Sequence, residues 1–140
     1  IVRISWVCGR HGTNMVKTIL RLMAEHDELR FVDDQHGNPT FAEDLAPLLR
    51  RLAAERRTGT FHATNQGVTT WFEFARSVLA AAGQDPARVA PIATAELDPP
   101  RPAPRPANSV LDNAVLRAEG IPLLPDHRES LVRLVRELTA

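Results

Sequence analysis

Short apolar runs alternate along this chain with stretches of helical period, the pattern of a parallel α/β organisation. Ile1-Val2-Arg3-Ile4-Ser5-Trp6-Val7 reads as one apolar, β-rich strand that opens without an initiator Met or a polar lead-in. The expectation is a chain cut inside a strand, with some of the strand's sheet neighbours outside it. Gly9, Gly12 and Asn14 then mark a turn, and Met15, Ile19, Leu22 and Met23 recur at helical spacing to about His26. Leu29–Val32 predicts a second strand. The polar stretch 33–40, Asp-Asp-Gln-His-Gly-Asn-Pro-Thr, predicts a loop able to carry contacts.

Thr40 followed three residues later by Glu43 reads as a capping box, opening a helix with Leu45, Leu48, Leu49 and Leu52 as its buried stripe and Gly59 at its end. Pro47 falls inside, where it removes a donor and is expected to delay the start or bend the first turns. Residues 60–64 predict a short strand. Thr70 with Glu73 is a second capping box, opening a helix through Phe74, Val78 and Leu79 to Gly83. Val89–Ile92 predicts another strand. The proline-dense segment 99–106 cannot be helical and is expected to run as a stiff, extended connector. Two helical pieces follow, at 113–119 and 126–138. The second is opened by Asp126 with Glu129 three residues on, and lined by Leu131, Leu134 and Leu138.

Composition narrows the function classes. At 140 residues one compact domain is expected, and 17 basic against 17 acidic side chains give no general attraction to nucleic acid or to an acidic membrane surface. No apolar run approaches the roughly 20 residues of a membrane span, and no basic-then-apolar leader opens the chain, so neither a membrane nor a nucleic acid is expected as a partner. Lys17 is the only lysine, so local anion recognition would fall to planar, bidentate guanidinium groups. Cys8 stands alone, which excludes an internal disulfide, suits a reducing cytoplasm, and reads as a buried inert thiol.

Several chemistries lack their residues. Gly9-Arg10-His11-Gly12 follows a strand but fails the dinucleotide glycine spacing and lacks the lysine and hydroxyl of a P-loop. With no tyrosine in the chain, a mechanism using a tyrosine proton donor cannot be completed within it. His11, His26, His36, His62 and His127 form no pair at ligand spacing, so no metal site is expected, and Asp33-Asp34 reads as a solvated pair rather than a cation site. Two places could hold a ligand. Trp6 comes near a strand end, where open α/β folds bind ligands, though its position suits a core residue equally. Arg101 and Arg105 on the proline segment, with Asn108 and Ser109 beyond, offer guanidinium, amide and hydroxyl groups to a phosphate or sugar, or else form an exposed linker.

Four segments together carry a resemblance. Ser5-Trp6-Val7, residues 14–22 (Asn-Met-Val-Lys-Thr-Ile-Leu-Arg-Leu), residues 34–40 and residues 105–112 (Arg-Pro-Ala-Asn-Ser-Val-Leu-Asp) resemble dTDP-4-dehydrorhamnose reductases in order and spacing, and Trp71, Phe74-Ala75 and Leu124-Pro125 also fit. The resemblance runs nearly the full length. It implies an extended short-chain dehydrogenase/reductase: α/β, with the last strands and helices of a Rossmann-like NAD(P)-binding fold plus a small C-terminal α/β substrate-binding domain. It further implies that residues 1–140 are the substrate-binding part, that a Rossmann region binding NADPH (or NADH) lies upstream, and that a tyrosine and lysine pair there assists reduction of the 4-keto group of dTDP-6-deoxy-L-lyxo-4-hexulose to dTDP-L-rhamnose. This chain alone would then be inactive and hold no cofactor. The implied partners are the dTDP-linked keto-deoxysugar and the upstream region, and a homodimer is compatible with the family.

By the same resemblance Trp6 is the substrate-contacting tryptophan, and Arg105, Asn108 and Ser109 are substrate or pocket-wall residues. The family commonly has tyrosine where this chain has Cys8, and phenylalanine where it has Met15, which bears on local packing more than on activity. Two alternatives stand beside this reading: a non-catalytic regulator, since the methionine adenosyltransferase regulatory subunit resembles the same family, and a reductase or epimerase acting on another nucleotide sugar.

Overall fold

The computed structural model describes residues 1–100 and 102–140. The opening apolar run is two strands rather than one: β1 (Val2–Arg3) and β2 (Val7–Cys8). They part because each finds a different parallel partner. β1 pairs with β6 (Phe61–His62), Val2 against Phe61, and β2 pairs with β5 (Thr40–Phe41), Val7 against Thr40. The chain changes partner across Ile4, Ser5 and Trp6, and Trp6 takes a left-handed backbone, φ 44°, to make the change.

The helix α1 (Met15–Glu25) follows, and Asn14 caps it by accepting from the Lys17 amide. β3 (Leu29–Val32) runs parallel to β8 (Val89–Ile92) over all four residues. The 33–40 stretch is a loop holding two short strands, β4 (His36–Gly37) and β5; β4 pairs antiparallel with β7 (Thr69–Thr70). Helix α2 (Ala42–Ala54) starts later than the expected capping box, because the ladder between β2 and β5 claims Thr40. Thr40 is fully buried, its hydroxyl has no partner among the described residues, and Phe41 takes the cap position with no side-chain bond. Glu43 and Asp44 in the first turn compensate by facing the positive end of the helix dipole. Pro47 sits inside α2 on its exposed side without delaying the start, and the helix stops at Ala54, short of Gly59. Helix α3 (Trp71–Ala81) begins as its capping box requires, with the Thr70 hydroxyl accepting from the Glu73 amide at 3.2 Å.

After β8 come a single 3₁₀ turn at Thr94–Glu96, the proline segment, α4 (Ala114–Ala118) and α5 (His127–Thr139). The Asp126 carboxylate caps α5 by accepting from the Arg128 amide, two residues on. Asn113, just ahead of α4, turns its side chain the other way: its amide exchanges bonds with the Thr64 backbone at 3.0 and 3.1 Å, like one more strand residue beyond β6. No helix among the described residues is long and apolar enough to cross a membrane.

Two apolar clusters hold these elements. The larger joins α1, α3 and α5 to β3 and β8 through Val16, Ile19, Leu29, Phe74, Leu79 and Leu131. The smaller joins α2, β6 and α4 through Leu45, Leu48, Leu52, Phe61 and Leu116; Leu49, expected in this stripe, is exposed. Asn65, fully buried, stitches the two. Its side-chain oxygen accepts from the Phe41 amide at 2.9 Å, and its nitrogen donates to Asp44 at 2.8 Å and to the Pro125 carbonyl at 3.1 Å. Asp44 in turn accepts from Ser130 and pairs with Arg133, tying α2 to α5.

Candidate ligand site

A cavity of about 520 Å³ opens between the start of the chain, the 33–40 loop and the proline segment. That volume suits a nucleotide-sized ligand. Trp6, Met15, Phe31, Trp71 and Leu97 give it apolar walls, and Arg30, Gln35, Arg105 and Ser109 bring polar groups to it. Met15 and Trp71 are the first residues of α1 and α3, so two capped helix starts are fixed at its edge.

Trp6 belongs to both alternatives left open by the sequence, being half-buried and part of the cavity wall. A left-handed backbone costs an ordinary L-residue about 1–2 kcal/mol, so its surroundings must enforce it. The Trp6 carbonyl accepts from the Thr40 amide at 3.1 Å and from the Cys8 thiol at 3.5 Å. Its indole stacks on Trp71 with centroids 3.7 Å apart and planes 14° from parallel, and Phe74 meets it edge-on at 6.5 Å. On the 33–40 loop, the Ser5 hydroxyl donates to the Asn38 carbonyl at 2.6 Å, and a Cβ at Gly37 would lie 2.6 Å from the indole carbons. Only glycine lets that backbone pass.

The same loop carries the far wall. Asp34 accepts from the Thr94 amide at 2.9 Å and from its hydroxyl at 2.6 Å; these bonds, the hydroxyl's first, hold its carboxyl below the usual carboxylate range. Gln35 donates to the same hydroxyl at 2.9 Å. Further on, the His36 carbonyl accepts from both the amide and the hydroxyl of Ser109 at 2.9 Å, and Asn38 accepts from the Leu111 amide at 2.8 Å. The segment carrying Leu97 and Arg105 is therefore latched at both ends to residues 34–38.

Of the residues singled out from sequence, Trp6, Arg105 and Ser109 meet at this cavity. Asn108 does not line it: its side chain accepts from the Val110 amide at 3.0 Å, shaping the turn. Arg101 lies outside the described residues. Arg30, Gln35, Phe31 and Leu97 were not anticipated; Arg30 carried one usable signal, an exposed charge alternating with buried Leu29 on a strand.

Other groups are committed elsewhere. Asp33 accepts from the Thr70 hydroxyl at 2.6 Å, so the two adjacent acids serve two separate hydroxyls. Among the described residues no three His, Cys, Asp or Glu side chains lie together as metal ligands. Burial pushes the Cys8 thiol up to about 12, leaving almost no thiolate to react. The loop between β2 and α1 does not fit a dinucleotide. Its Arg10 and Gly12 carbonyls converge on the Lys17 ammonium, and the Asn14 side chain takes up the Lys17 amide, so the one lysine and that amide are already committed within the loop.

Residues 1–140 match the family model described as the RmlD substrate binding domain. The chain belongs to that family. An RmlD-type substrate-binding domain accords with a fold that carries such a pocket. Among relatives, a dTDP-4-dehydrorhamnose reductase of Streptomyces griseus is 44% identical over 136 residues, 94% of this chain and 44% of that protein. A dTDP-4-dehydrorhamnose reductase structure from Clostridium acetobutylicum superposes with a TM-score of 0.92 at 38% identity, covering 99% of this chain and 48% of that one. One from Bacillus anthracis, in complex with NADP, gives 0.90 at 36% identity, covering 97% and 47%. The RmlD-type chain thus spans about half the length of the curated relatives it matches, and its mixed α/β architecture with parallel strand pairs is theirs.

Proposed function

We propose that this chain is the substrate-binding part of an NADPH-dependent reductase that converts dTDP-6-deoxy-L-lyxo-4-hexulose to dTDP-L-rhamnose. The observation that carries the reading is the cavity itself: stacked indoles and two arginines face one space in a domain of this family. Arg30 and Arg105 bring two guanidinium groups suited to a diphosphate. The Trp6 indole, half-buried in the cavity wall, gives a sugar ring or a base an apolar surface to pack against. Ser109 has its proton committed to His36, so its oxygen is left to accept from a ligand hydroxyl.

NADPH, when bound, supplies hydride to the keto carbon. This chain's part is to bind and orient the sugar nucleotide and to exclude water from it. The developing alkoxide needs a positioned proton donor, and that group comes from outside residues 1–140, in keeping with the upstream tyrosine and lysine of the family. Exposed Ile1, Ile4 and Val7 give such a region an apolar surface to cover. The buried thiol of Cys8 suits the cytoplasm as the compartment.

The test is turnover by the full-length protein. NADPH oxidation with the dTDP-linked keto-sugar is expected, and Arg105→Ala is expected to raise KM for the sugar nucleotide about 10-fold or more while sparing KM for NADPH. Loss of neither binding nor rate in that variant would remove Arg105 from the site. A full-length protein that binds the nucleotide sugar but never oxidises NADPH would instead favour the regulatory alternative.

A further inference from the structure

The indole of Trp6 is held by two jaws, and neither comes from its own stretch of chain. One is the backbone at Gly37, so close that any Cβ there would lie 2.6 Å from Cε2 and Cζ2 of the ring. The other is Trp71, stacked on Trp6 at 3.7 Å. A two-residue antiparallel ladder sets the spacing between them: Gly37 pairs with Thr69 and His36 with Thr70, so the loop and the start of α3 are fixed together. Thr70 tightens the joint, donating to Asp33 at 2.6 Å while accepting from the Glu73 amide. Beneath both rings lies Phe74, fully buried and edge-on to each at 6.5 and 6.3 Å. A bulky L-residue released from such a clamp would leave the left-handed region for the extended or right-handed one, swinging its side chain away.

We propose that Trp71 is a positioning residue: through its stack on Trp6 it fixes the angle of the indole wall against which the ligand packs, and so sets affinity for the sugar nucleotide. The inference rests on the reading of the cavity as a sugar-nucleotide site. Trp71 acts chiefly on Trp6, so its loss is felt in binding of one substrate, with kcat little changed.

The experiment uses the full-length protein, with Trp71→Leu to keep apolar bulk without a flat face and Trp71→Phe to restore the face. Steady-state constants are measured for both substrates. Fluorine NMR of fluorotryptophan-labelled protein follows Trp6, its line identified by its disappearance in Trp6→Phe. The expected result is a rise of about 10-fold in KM for the keto-sugar in Trp71→Leu, with kcat and KM for NADPH within about twofold of wild type. Trp71→Phe recovers most of that loss, and the Trp6 line broadens in Trp71→Leu while staying as sharp as wild type in Trp71→Phe. A Trp6 line as sharp as wild type with an unchanged keto-sugar KM in Trp71→Leu overturns the proposal, as does a parallel decline for both substrates accompanied by a lower Tm. Absence of turnover in the wild type would defeat the reductase reading instead. The Trp6 line then decides alone: broadening in Trp71→Leu that Phe removes supports positioning, and a line that stays sharp in Trp71→Leu sinks it.

Discussion

A methyl group added at Gly37 would meet the Trp6 ring at 2.6 Å, and that ring is itself stacked on another indole rather than being a flexible chain end. Gly37→Ala must therefore displace the β4 backbone or break the stack. We expect a loss of about 1–3 kcal/mol in unfolding free energy, the usual cost of overpacking, read as a lower urea midpoint with an unchanged slope. The opposite kind of residue is Cys8, almost fully buried and with its thiol pushed up to about 12 by that burial. Iodoacetamide should leave Cys8 unlabelled in the native protein and label it once urea unfolds the chain, as mass spectrometry would show. Rapid native labelling would mean that the β2 region opens.

At the scale of elements, His127 begins α5 with its ring 1% exposed, wedged against Gly67, whose φ of 92° suits glycine. Burial, first, lowers its affinity for a proton; the Gln66 carbonyl, 3.1 Å from Nδ1, and Asp126 oppose this weakly, and Arg128 adds to it. The fold thus prefers neutral His127. Its contribution to stability is complete above the unfolded-state pKa of about 6.5, and is lost as pH falls from there through the lowered folded-state value. Urea midpoints followed downward from about pH 8 should decline over that window, and His127→Gln should flatten this part of the curve.

Elements also mark where the sequence was readable. Helices α1, α3 and α5 and strands β3 and β8 were legible because each repeats its apolar pattern over four or more residues. Strands of two residues, such as β4 and β7, repeat nothing, and their pairing depends on distant chain. Thr40 with Glu43 looked like a helix start because the motif is local, whereas the β2 ladder that overrides it is not. The site follows the same division. Trp6 drew notice near an expected strand end, where its position suited core and ligand roles equally, whereas Arg30, Gln35 and Trp71 reach the same cavity only through folding of three separate segments.

For the whole molecule, the Asn65 and Asp44 network sits where the two apolar clusters meet, joining β5, α2 and α5. Asp44→Ala removes one acceptor of the buried Asn65 amide and leaves the Ser130 hydroxyl without its acceptor, at a cost of about 1–3 kcal/mol. Because the network couples the clusters, the loss should also broaden thermal unfolding, with calorimetric and van't Hoff enthalpies diverging; a sharp transition merely shifted in Tm would mean that the clusters are coupled by other contacts. The isolated chain should show no NADPH oxidation with the keto-sugar, since it has no tyrosine to serve as proton donor.

Among the described residues, the long-range hydrogen bonds of the stretch between Thr94 and Ser109 go to residues 34–36, at its two ends: Asp34 and Gln35 at one, His36 at the other. It carries Leu97 and Arg105 to the cavity, yet none of its described residues belongs to either apolar cluster. Such a stretch is an exchangeable cassette. Evolution, or a protein engineer, could lengthen it or move its arginine to admit a different nucleotide or sugar while leaving the scaffold's stability nearly untouched, provided that the two anchor points are kept.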